Sequence, residues 1–476
     1  MRVHFDAVII GAGPAGSAAA ILLARAGWSV ALVEKQRFPR RKVCGECIAA
    51  SNLPLLHLLG IGAEFDKCAG PPLRQVALLR GDQRVVADLP AAADGPQAKA
   101  VVHADHLTQV SAQPHRWGRP LAREMLDTLL LDQARRVGAQ LWQPWAVQAI
   151  DGQAGGWLCQ VRAIESEQRL TLRAPVLIAA NGSWEPLPCH RPAQRPALAA
   201  FDLLAFKANF RGSALPDGVL PVLALAGGYG GMVAAGDGLT TVACCVRRDR
   251  LDALRRAMPG ARAGEVVEAW LKRECGGVRR ALRPAERTEP WLAAGPITPG
   301  VRLRPDDAML RIGNAAGEAH PILGEGISMA LQSAALLASH LIAGLALSAL
   351  PGRGRQAEIA RVYAAQWRVH FSPRLHIAAL FAHAAMRPAA SAPLLALAQA
   401  WPGLLALGAR WGGKLHCAAD LAALAALAPA SALGPVFAGG AASAGGAASA
   451  GGVASAGGVA SAAAAQAPLG SRSRAA

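Results

Sequence analysis

The stretch that decides the fold lies at the start of the chain and reads Asp6-Ala-Val-Ile-Ile-Gly11-Ala-Gly13-Pro14-Ala15-Gly16. Its apolar run, residues 7–10, predicts a buried parallel strand. Gly11 permits a tight turn after that strand, and Gly13 lets backbone N–H groups approach a pyrophosphate. Gly16 lets the following helix pack closely against the strand. This spacing predicts a unit that holds a dinucleotide at the N-terminus of a helix.

The residues after this turn complete the unit. An Ala/Leu-rich helix ends at Gly27, where glycine is favoured just beyond a helix. A second strand, Trp28-Ser-Val-Ala-Leu-Val, leads to Glu34. A carboxylate at this position can accept hydrogen bonds from both ribose hydroxyls of an adenosine. The alternative is a βαβ unit that binds no ligand.

A second glycine-rich motif lies far along the chain and reads Gly313-Asn314-Ala-Ala-Gly317-Glu318-Ala-His320-Pro321-Ile-Leu-Gly324-Glu-Gly326-Ile327. Asn314 can hydrogen-bond a ribityl hydroxyl, and the loop 321–326 can bring backbone close to an aromatic ring system. The helix that begins near Gly326 presents its partial positive charge to the ring, which favours an anionic reduced flavin. The two motifs together predict FAD. A tight turn before a core helix is the alternative.

The composition is both apolar and basic. Of 476 residues, 53% are hydrophobic and 17% are charged, and the formal net charge is +17. This length predicts two or three domains. Basic surfaces attract anionic lipids or nucleic acids, but no nucleic-acid-binding module is recognisable. We therefore expect peripheral membrane contact, with an arginine-rich coding bias as the alternative. The nine cysteines have little paired spacing and no secretory leader precedes the first strand, which predicts a cytoplasmic protein. The peripheral membrane contact would make it a membrane-associated one.

Two uncharged stretches, residues 327–352 and 388–409, are long enough to cross a membrane. The first follows the second glycine motif and is predicted to be a buried helix of the α/β domain. The second contains Pro393 and Pro402, which would break a lipid-exposed helix. Its flanking residues Arg387, Arg410 and Lys414 suit a helix at a membrane interface. Ordinary packing onto the domain is the alternative.

The fold class is predicted to be α/β. A helix is expected over 120–138, strands over 141–150, 157–163, 170–180, 203–210, 219–226, 231–235 and 240–246, a glycine turn over 227–231, and a helical segment over 249–280. The predicted Rossmann-like FAD-binding domain comprises 1–85, 100–185 and 300–352, and it is interleaved with a β-sheet substrate domain, 190–290. A helical C-terminal region, 353–436, and a disordered low-complexity tail, 437–476, follow.

These motifs and the segment Phe38-Pro-Arg40-Arg-Lys42-Val-Cys44-Gly45-Glu46 resemble the FAD-dependent geranylgeranyl reductase family, within the aromatic-hydroxylase-like flavoproteins. The resemblance covers about residues 3–385. It implies that Cys44 and Gly45 lie beside the isoalloxazine, that Arg123 reaches the flavin chain and that Val147 offers backbone to the adenine. It also implies that residues 190–290 cover the substrate. The full set of expected cofactor residues adds those that flank these motifs: Pro14, Ala15, Lys35, Arg40, Lys42, Pro321, Gly324 and Ile327.

Several departures from the wider pattern narrow the chemistry. The usual Gly-Asp of the second motif is Gly313-Asn314 here, and the Asp-Gly of phenol hydroxylases is Asn181-Gly182. The Trp-x-Trp-x-Ile-Pro element of flavin halogenases is absent, which argues against halogenation. No second dinucleotide fingerprint occurs in the sequence. NAD(P)H is therefore expected to dock only transiently over the flavin, or a reduced carrier protein supplies the electrons.

Few residues are candidates for the chemistry. Cys44 and Cys47 form a C-x-x-C that could be redox-active, although Cys44 alone lining the flavin is the preferred interpretation. His320 and Glu318 could supply a proton, with a solvent or backbone contact as the alternative for His320. Tyr229 and Lys207 could flank the substrate, or could be ordinary surface or packing residues. No metal site is predicted.

The expected activity is that of an FAD-dependent oxidoreductase acting on a small hydrophobic substrate. The preferred reaction is hydride transfer from reduced flavin to a carbon–carbon double bond of a prenyl or polyketide-like compound. The alternative is a monooxygenase that hydroxylates an aromatic or quinone-like ring. A flavin-binding protein without turnover is the third possibility, because Asn314 and Asn181 replace acidic residues.

Overall fold

The dinucleotide motif lies on a five-stranded parallel sheet. The computed structural model describes residues 2–92, 116–188, 199–303, 309–344 and 353–427. The strands of this sheet are, in spatial order, Leu310–Arg311, Val176–Ala179, Ala7–Ile10, Val30–Val33 and Gln140–Trp142. The central strands are buried along their whole length, because both faces of the sheet are covered.

Helices cover one face of this sheet and a second sheet covers the other. Ala7 and Ile9 pack against the helices, whereas Val8 and Ile10 face the second sheet, as the alternation of side chains along a strand requires. The helices are Pro14–Arg25, Arg123–Arg136 and Gly326–Gly344. The second sheet has the order Arg2–His4, Arg169–Ala174, Gly156–Ala163 and Trp145–Gln153. The α/β prediction is confirmed.

Two of the predicted strands are each divided between these sheets. The segment 141–150 belongs to Gln140–Trp142 in the parallel sheet and to Trp145–Gln153 in the second sheet, with Pro144 between them. The segment 170–180 is divided in the same way at Pro175. Proline lacks an N–H group and fixes φ, so it interrupts a ladder of backbone hydrogen bonds. The prediction of single strands here was wrong.

The third sheet has eight strands and forms one wall of a cavity beside the parallel sheet. Its strands follow the order Glu286–Arg287, Leu203–Arg211, Leu239–Arg247, Gly228–Gly236, Val219–Leu225, Gln75–Arg80 and Gln83–Asp88, and Leu292–Ile297 also pairs with Leu203–Arg211. Two of these strands come from residues 75–88, outside the predicted range 190–290. The predicted helical segment consists of three helices that pack on one face: Arg248–Ala257, Ala263–Glu274 and Gly276–Ala281.

The glycine run 227–231 is mostly strand and was wrongly predicted to be a turn. Only Gly227, at φ +79°, takes the left-handed conformation, and the strand begins at Gly228. A Cβ on Gly228 would lie 2.5 Å from the carbonyl oxygen of Cys245, and one on Gly230 would lie 2.7 Å from that of Ala243. These glycines therefore allow close approach of two strands rather than a change of direction.

The C-terminal part of the described chain is helical. Gly326–Gly344 is the one described helix that is both long and apolar enough to cross a bilayer, and 78% of its apolar window is buried within the protein. It is a core helix, as predicted for the start of 327–352. The stretch 388–409 forms two helices bent by 112° at residues 401–402. The remaining helices are Leu53–Leu58, Gly62–Cys68, Arg353–Met386, Pro388–Ala400, Gly403–Trp411 and Leu421–Leu427. The predicted tail, 437–476, lies outside the described residues.

Candidate active site

A cavity of about 630 Å³ lies where the carboxyl ends of the parallel strands face the eight-stranded sheet. This volume is within the range of small-molecule and cofactor sites, roughly 300–1,000 Å³. We call it the cofactor cavity. Every predicted cofactor residue except Gly16 lines it, namely Gly11, Gly13, Pro14, Ala15, Glu34, Lys35, Arg40, Lys42, Cys44, Gly45, Arg123, Val147, Gly313, Asn314, Pro321, Gly324, Gly326 and Ile327.

The first glycine motif is built by close backbone contacts. Gly11 has φ +101°, and a Cβ there would lie 2.5 Å from the carbonyl oxygen of Ala180. A Cβ on Gly16 would lie 1.8 Å from the carbonyl oxygen of Gly11. Any side chain at Gly16 would therefore push the helix away from the strand. Gly16 does not line the cavity because its place is in this packing contact, as the sequence predicts.

Four other glycines have open space where the cavity approaches them. A Cβ on Gly45, Gly182 or Gly326 would meet no atom within 4 Å, and one on Gly13 would meet only the Arg40 guanidinium at 3.8 Å. All four line the cavity. They form a cradle in which a ligand can touch backbone, and this fits a dinucleotide cofactor at the start of helix Pro14–Arg25.

Glu34 is fixed at the end of the second strand with both carboxylate oxygens engaged. Its Oε2 accepts a hydrogen bond from the backbone N–H of Ala12 (3.0 Å) and its Oε1 accepts one from Gln36 (2.8 Å). Arg40 approaches Oε1 at 3.4 Å. Oε1 thus accepts from both Gln36 and Arg40, whereas Oε2 keeps a lone pair that can accept from a ribose hydroxyl, so the position fits the predicted adenosine contact.

Arg123 is held rigidly at the start of the helix Arg123–Arg136. Its guanidinium makes two hydrogen bonds to Asp127, of 2.7 and 2.8 Å. Burial acts to lower the pKa of Arg123, but Asp127 and then Cys44 raise it above its ordinary value. A fixed cation therefore lines the cavity beside Cys44, where a flavin phosphate chain would find a permanent charge.

The second glycine motif is tied by a polar network to the loop that follows the strand Val176–Ala179. Asn314 donates from Nδ2 to the hydroxyl of Ser183 (2.8 Å), which donates to Glu318 Oε1 (2.7 Å). Arg302 pairs with the other oxygen of Glu318 (2.6 Å). Glu318 was predicted to be a proton donor. Its ion pair with Arg302 instead suits a carboxylate that positions Ser183 and Asn314.

His320 lies behind Tyr229 rather than on the wall of the cavity. The phenol oxygen of Tyr229 is 3.1 Å from His320 Nδ1, and Tyr229 lines the cavity. Burial, followed by the neighbouring His383, lowers the pKa of His320 from 6.5 to about 4. Burial also raises the pKa of Tyr229 above its ordinary value. The pair is therefore a neutral phenol and a neutral imidazole near pH 7.

Lys207, predicted to flank the substrate, is completely buried and is not among the described residues that line the cavity. It forms an ion pair with Glu46, which does line the cavity. Glu46 also accepts hydrogen bonds from the hydroxyl of Thr241 (2.5 Å) and the backbone N–H of Arg123 (2.8 Å). The sequence reasoning assigned no role to Glu46. A lone lysine within the apolar strand 203–210 was the available signal, because a buried cation requires a buried partner.

The C-x-x-C pair does not present two equivalent thiols. Cys44 accepts a hydrogen bond from the backbone N–H of Glu46 (3.3 Å) and lies beside Arg123. Cys47 is buried in the short strand Cys47–Ile48, and burial raises the pKa of its thiol. Both are free thiols. Because the thiolate is the reactive form, this environment favours the interpretation in which Cys44 alone serves the cofactor.

Comparison with known families identifies the domain. A family model described as the FAD binding domain matches residues 4–371. The chain belongs to this FAD-binding domain family. FAD is therefore the cofactor of this chain, in agreement with the prediction from the two glycine motifs.

Two curated relatives of this FAD-binding domain protein illustrate the range of the family. Conditioned medium factor receptor 1 of Dictyostelium discoideum is 29% identical over 360 residues, which is 71% of this chain and 63% of the relative. Menaquinone reductase of Mycolicibacterium smegmatis is 44% identical over 66 residues, 14% of this chain and 16% of the relative. The chain thus aligns with less than two thirds of the length of either relative.

Solved structures share the fold at low sequence identity. The myxobacterial chondrochloren halogenase CndH has a TM-score of 0.64 at 18% identity, covering 89% of this chain and 96% of its own. A geranylgeranyl bacteriochlorophyll reductase-like protein of Thermoplasma acidophilum has a TM-score of 0.58 at 16% identity, covering 86% of this chain and all of its own. The relatives and neighbours named here therefore include proteins described as a receptor, as reductases and as a halogenase.

Replacing Gly13 by valine is expected to weaken FAD binding at least about tenfold, ~1.4 kcal/mol, because the side chain would fill the open space at the helix N-terminus. The backbone of Gly13 is extended, so valine fits without strain. Gly156→Val is the matched control, since Gly156 also has open space but lies outside the cavity. FAD content and the dissociation constant from flavin fluorescence are the measurements. Equal affinity in the two variants would contradict the assignment.

The pH dependence of stability is expected to contain a contribution from His320. Its folded pKa of about 4 lies below the unfolded value of 6.5. The unfolded chain therefore binds more protons between these values, and stability is lost as the pH falls through this window, by up to about 3 kcal/mol. His320→Gln should flatten the free energy of unfolding over pH 4–6.5. The exposed His376→Gln is the control and should behave as the wild type.

Proposed function

We propose that this enzyme reduces a carbon–carbon double bond of an elongated hydrophobic substrate, such as a prenyl or polyketide-like compound. The observation that carries the proposal is a second cavity of about 350 Å³, which we call the apolar cavity. It adjoins the cofactor cavity, and both are lined by Cys47, Leu220, Val222, Ile322 and Leu323. A substrate at the cofactor therefore has room for an apolar extension.

The walls of the apolar cavity leave little for a polar substrate to bind. One wall is the eight-stranded sheet, with Val76 and Leu78, and the other is the C-terminal helices, with Phe381 and Leu394. Its charged lining residues already have partners within the protein: Arg80 donates to Ser391 (3.0 Å), and Lys414 pairs with Glu325 (3.2 Å). Burial of a hydrocarbon chain stabilises the complex by about 0.8 kcal/mol per CH₂ group. This site suits a long apolar chain.

The residues of the two glycine motifs would hold FAD, whose reduced form would supply the hydride for one carbon of the double bond. The other carbon needs a proton, and Tyr229 is the group that we assign to donate it. The neutral phenol lines the cofactor cavity, and His320 lies behind it with Nδ1 3.1 Å from the phenol oxygen. His320 would act as a relay, because a proton that Nδ1 gives to the phenol oxygen has to be replaced by one taken up at Nε2. Hydride and proton together add two hydrogens to the substrate, and an electron donor would then have to reduce the cofactor again.

The electron donor is proposed to be NADPH, NADH or a reduced carrier protein. The support is the sequence, in which no second dinucleotide fingerprint follows the first. The local similarity to a menaquinone reductase and the shared fold with a geranylgeranyl reductase-like protein support the choice of reduction.

Oxygen insertion into an aromatic or quinone-like ring is the second candidate. It is favoured by the shared fold with halogenases and with the anhydrotetracycline hydroxylase OxyS of Streptomyces rimosus, whose TM-score is 0.57. The same hydrophobic site would hold such a substrate. The two reactions differ in the atoms that they add.

The product mass decides between these reactions. FAD-loaded protein with a chemical reductant and a panel of prenyl lipids and alkyl phenols is expected to yield a product that has gained two hydrogens without oxygen. Mass spectrometry of parallel anaerobic and aerobic reactions is the measurement. A gain of one oxygen atom that occurs only in air would establish the monooxygenase instead.

Tyr229→Phe is expected to lower kcat about 10²-fold, as is typical for loss of a general acid, with little change in KM or FAD content. Tyr363→Phe is the matched control. Tyr363 is the other tyrosine, is equally buried, and donates to the carbonyl oxygen of Arg311 (2.8 Å) away from the cavity. Equal turnover in the two variants would exclude Tyr229 as the proton donor.

A further inference from the structure

The C-terminal helix pair, Pro388–Ala400 and Gly403–Trp411, exposes large apolar side chains. Trp401 is 69% exposed, Trp411 57% and Leu397 49%, and Leu380 of the preceding helix is 68% exposed. Within the described ranges, Trp401 and Trp411 are the exposed tryptophans. Tryptophan is enriched where proteins meet the interface between lipid and water. We call these four residues the apolar rim.

The segment around the rim carries cations and no anions. Between Glu358 and Asp420 the sequence contains six Arg or Lys residues and no Asp or Glu. Two of these cations, Arg374 and Lys414, face the buried Glu325. Arg387 and Arg410 are exposed at the outer ends of the helix pair. Their charge complements an anionic lipid surface, where each such residue contributes about 1 kcal/mol.

The apolar cavity opens at this same rim. Leu380, Leu397 and Trp411 line the cavity and are also exposed to the outside. The cavity in turn shares its inner walls with the cofactor cavity. The apolar cavity therefore lies between the rim and the cofactor cavity.

We propose that the C-terminal helix pair docks on the surface of an anionic bilayer, with Trp401 and Trp411 in the interface and the apolar cavity open toward the lipid chains. The bent pair, with its apolar rim and flanking arginines, has the features of an interfacial helix rather than a span. A water-soluble protein partner would offer no lipid phase to the opening of the apolar cavity. The docking is independent of the reaction, whereas the entry of substrate from the lipid rests on the proposed function.

Cosedimentation of the FAD-loaded full chain with vesicles tests the proposal. Binding to vesicles of equal phosphatidylglycerol and phosphatidylcholine should exceed binding to pure phosphatidylcholine at least about tenfold. The variant Trp401→Ser/Trp411→Ser should lose at least about tenfold in affinity, and Arg387→Ser/Arg410→Ser about 30-fold on the anionic vesicles only. The matched controls are Met125→Ser/Ile164→Ser, which are exposed apolar residues elsewhere, and Arg135→Ser/Arg169→Ser, which are exposed cations elsewhere.

A second readout places the tryptophans in the membrane. Vesicles with brominated acyl chains should quench part of the tryptophan fluorescence of the wild type, and the apolar variant Trp401→Phe/Trp411→Phe should bind but lose this quenching. Equal vesicle binding by the rim and control variants would overturn the proposal. The proposal would also be overturned if the wild type did not bind vesicles but formed a dimer in sedimentation velocity, and if Trp401→Ser/Trp411→Ser abolished that dimer. Turnover of detergent-dispersed substrate and FAD content, measured on the same samples, report on the proposed reaction separately.

Discussion

The site depends on the interactions of one buried carboxylate, that of Glu46. It joins three parts of the chain: the loop that follows the second parallel strand, the start of the helix Arg123–Arg136, and two strands of the eight-stranded sheet that carry Lys207 and Thr241. Both Glu46 and Lys207 are fully buried. Removing one member of a buried ion pair typically costs about 3–5 kcal/mol, because the other charge is left without a partner. The buried ion pair is stable only when its two charges lie close together. It therefore fixes the position of the eight-stranded sheet relative to the loop that carries Glu46, and so the distance between the two walls of the cofactor cavity.

The glycines around the cavity fall into two groups: some pack against other backbone, and others leave space in which a ligand can approach. At Gly11 and Gly16 the backbone is too close to its neighbours for any side chain, so these residues set the distance between strand and helix. At Gly45 and Gly326 the space beside the backbone is empty and faces the cavity. Glycine thus allows both a tight backbone contact within the protein and the close approach of a ligand in the cavity.

Burial governs the chemistry of the substrate side. It keeps Tyr229 and His320 neutral near pH 7 and keeps the thiols of Cys244 and Cys245 protonated, because a low-dielectric environment disfavours the charged form of each group. On the cofactor side, the ion pair with Asp127 keeps Arg123 charged despite its burial. The cavity therefore has a charged side at Arg123, which suits a phosphate chain, and a neutral side at Tyr229 and Cys244, which suits an apolar ligand. The apolar cavity continues the neutral wall toward the C-terminal helices.

The sequence by itself determined the parallel sheet and FAD as the cofactor, and all but one of the cofactor residues predicted from it line the same cavity. Residues 6–34 form a local βαβ unit, and the loop of the second glycine motif is followed directly by its helix, so short-range spacing carries that information. The partners of Glu46 and the place of His320 behind Tyr229 were decided only by the tertiary structure. Glu46 meets Lys207 across 161 positions of sequence, and no local period relates two such residues. The apolar cavity has the same origin, because its walls come from sheet and helices that only folding brings together.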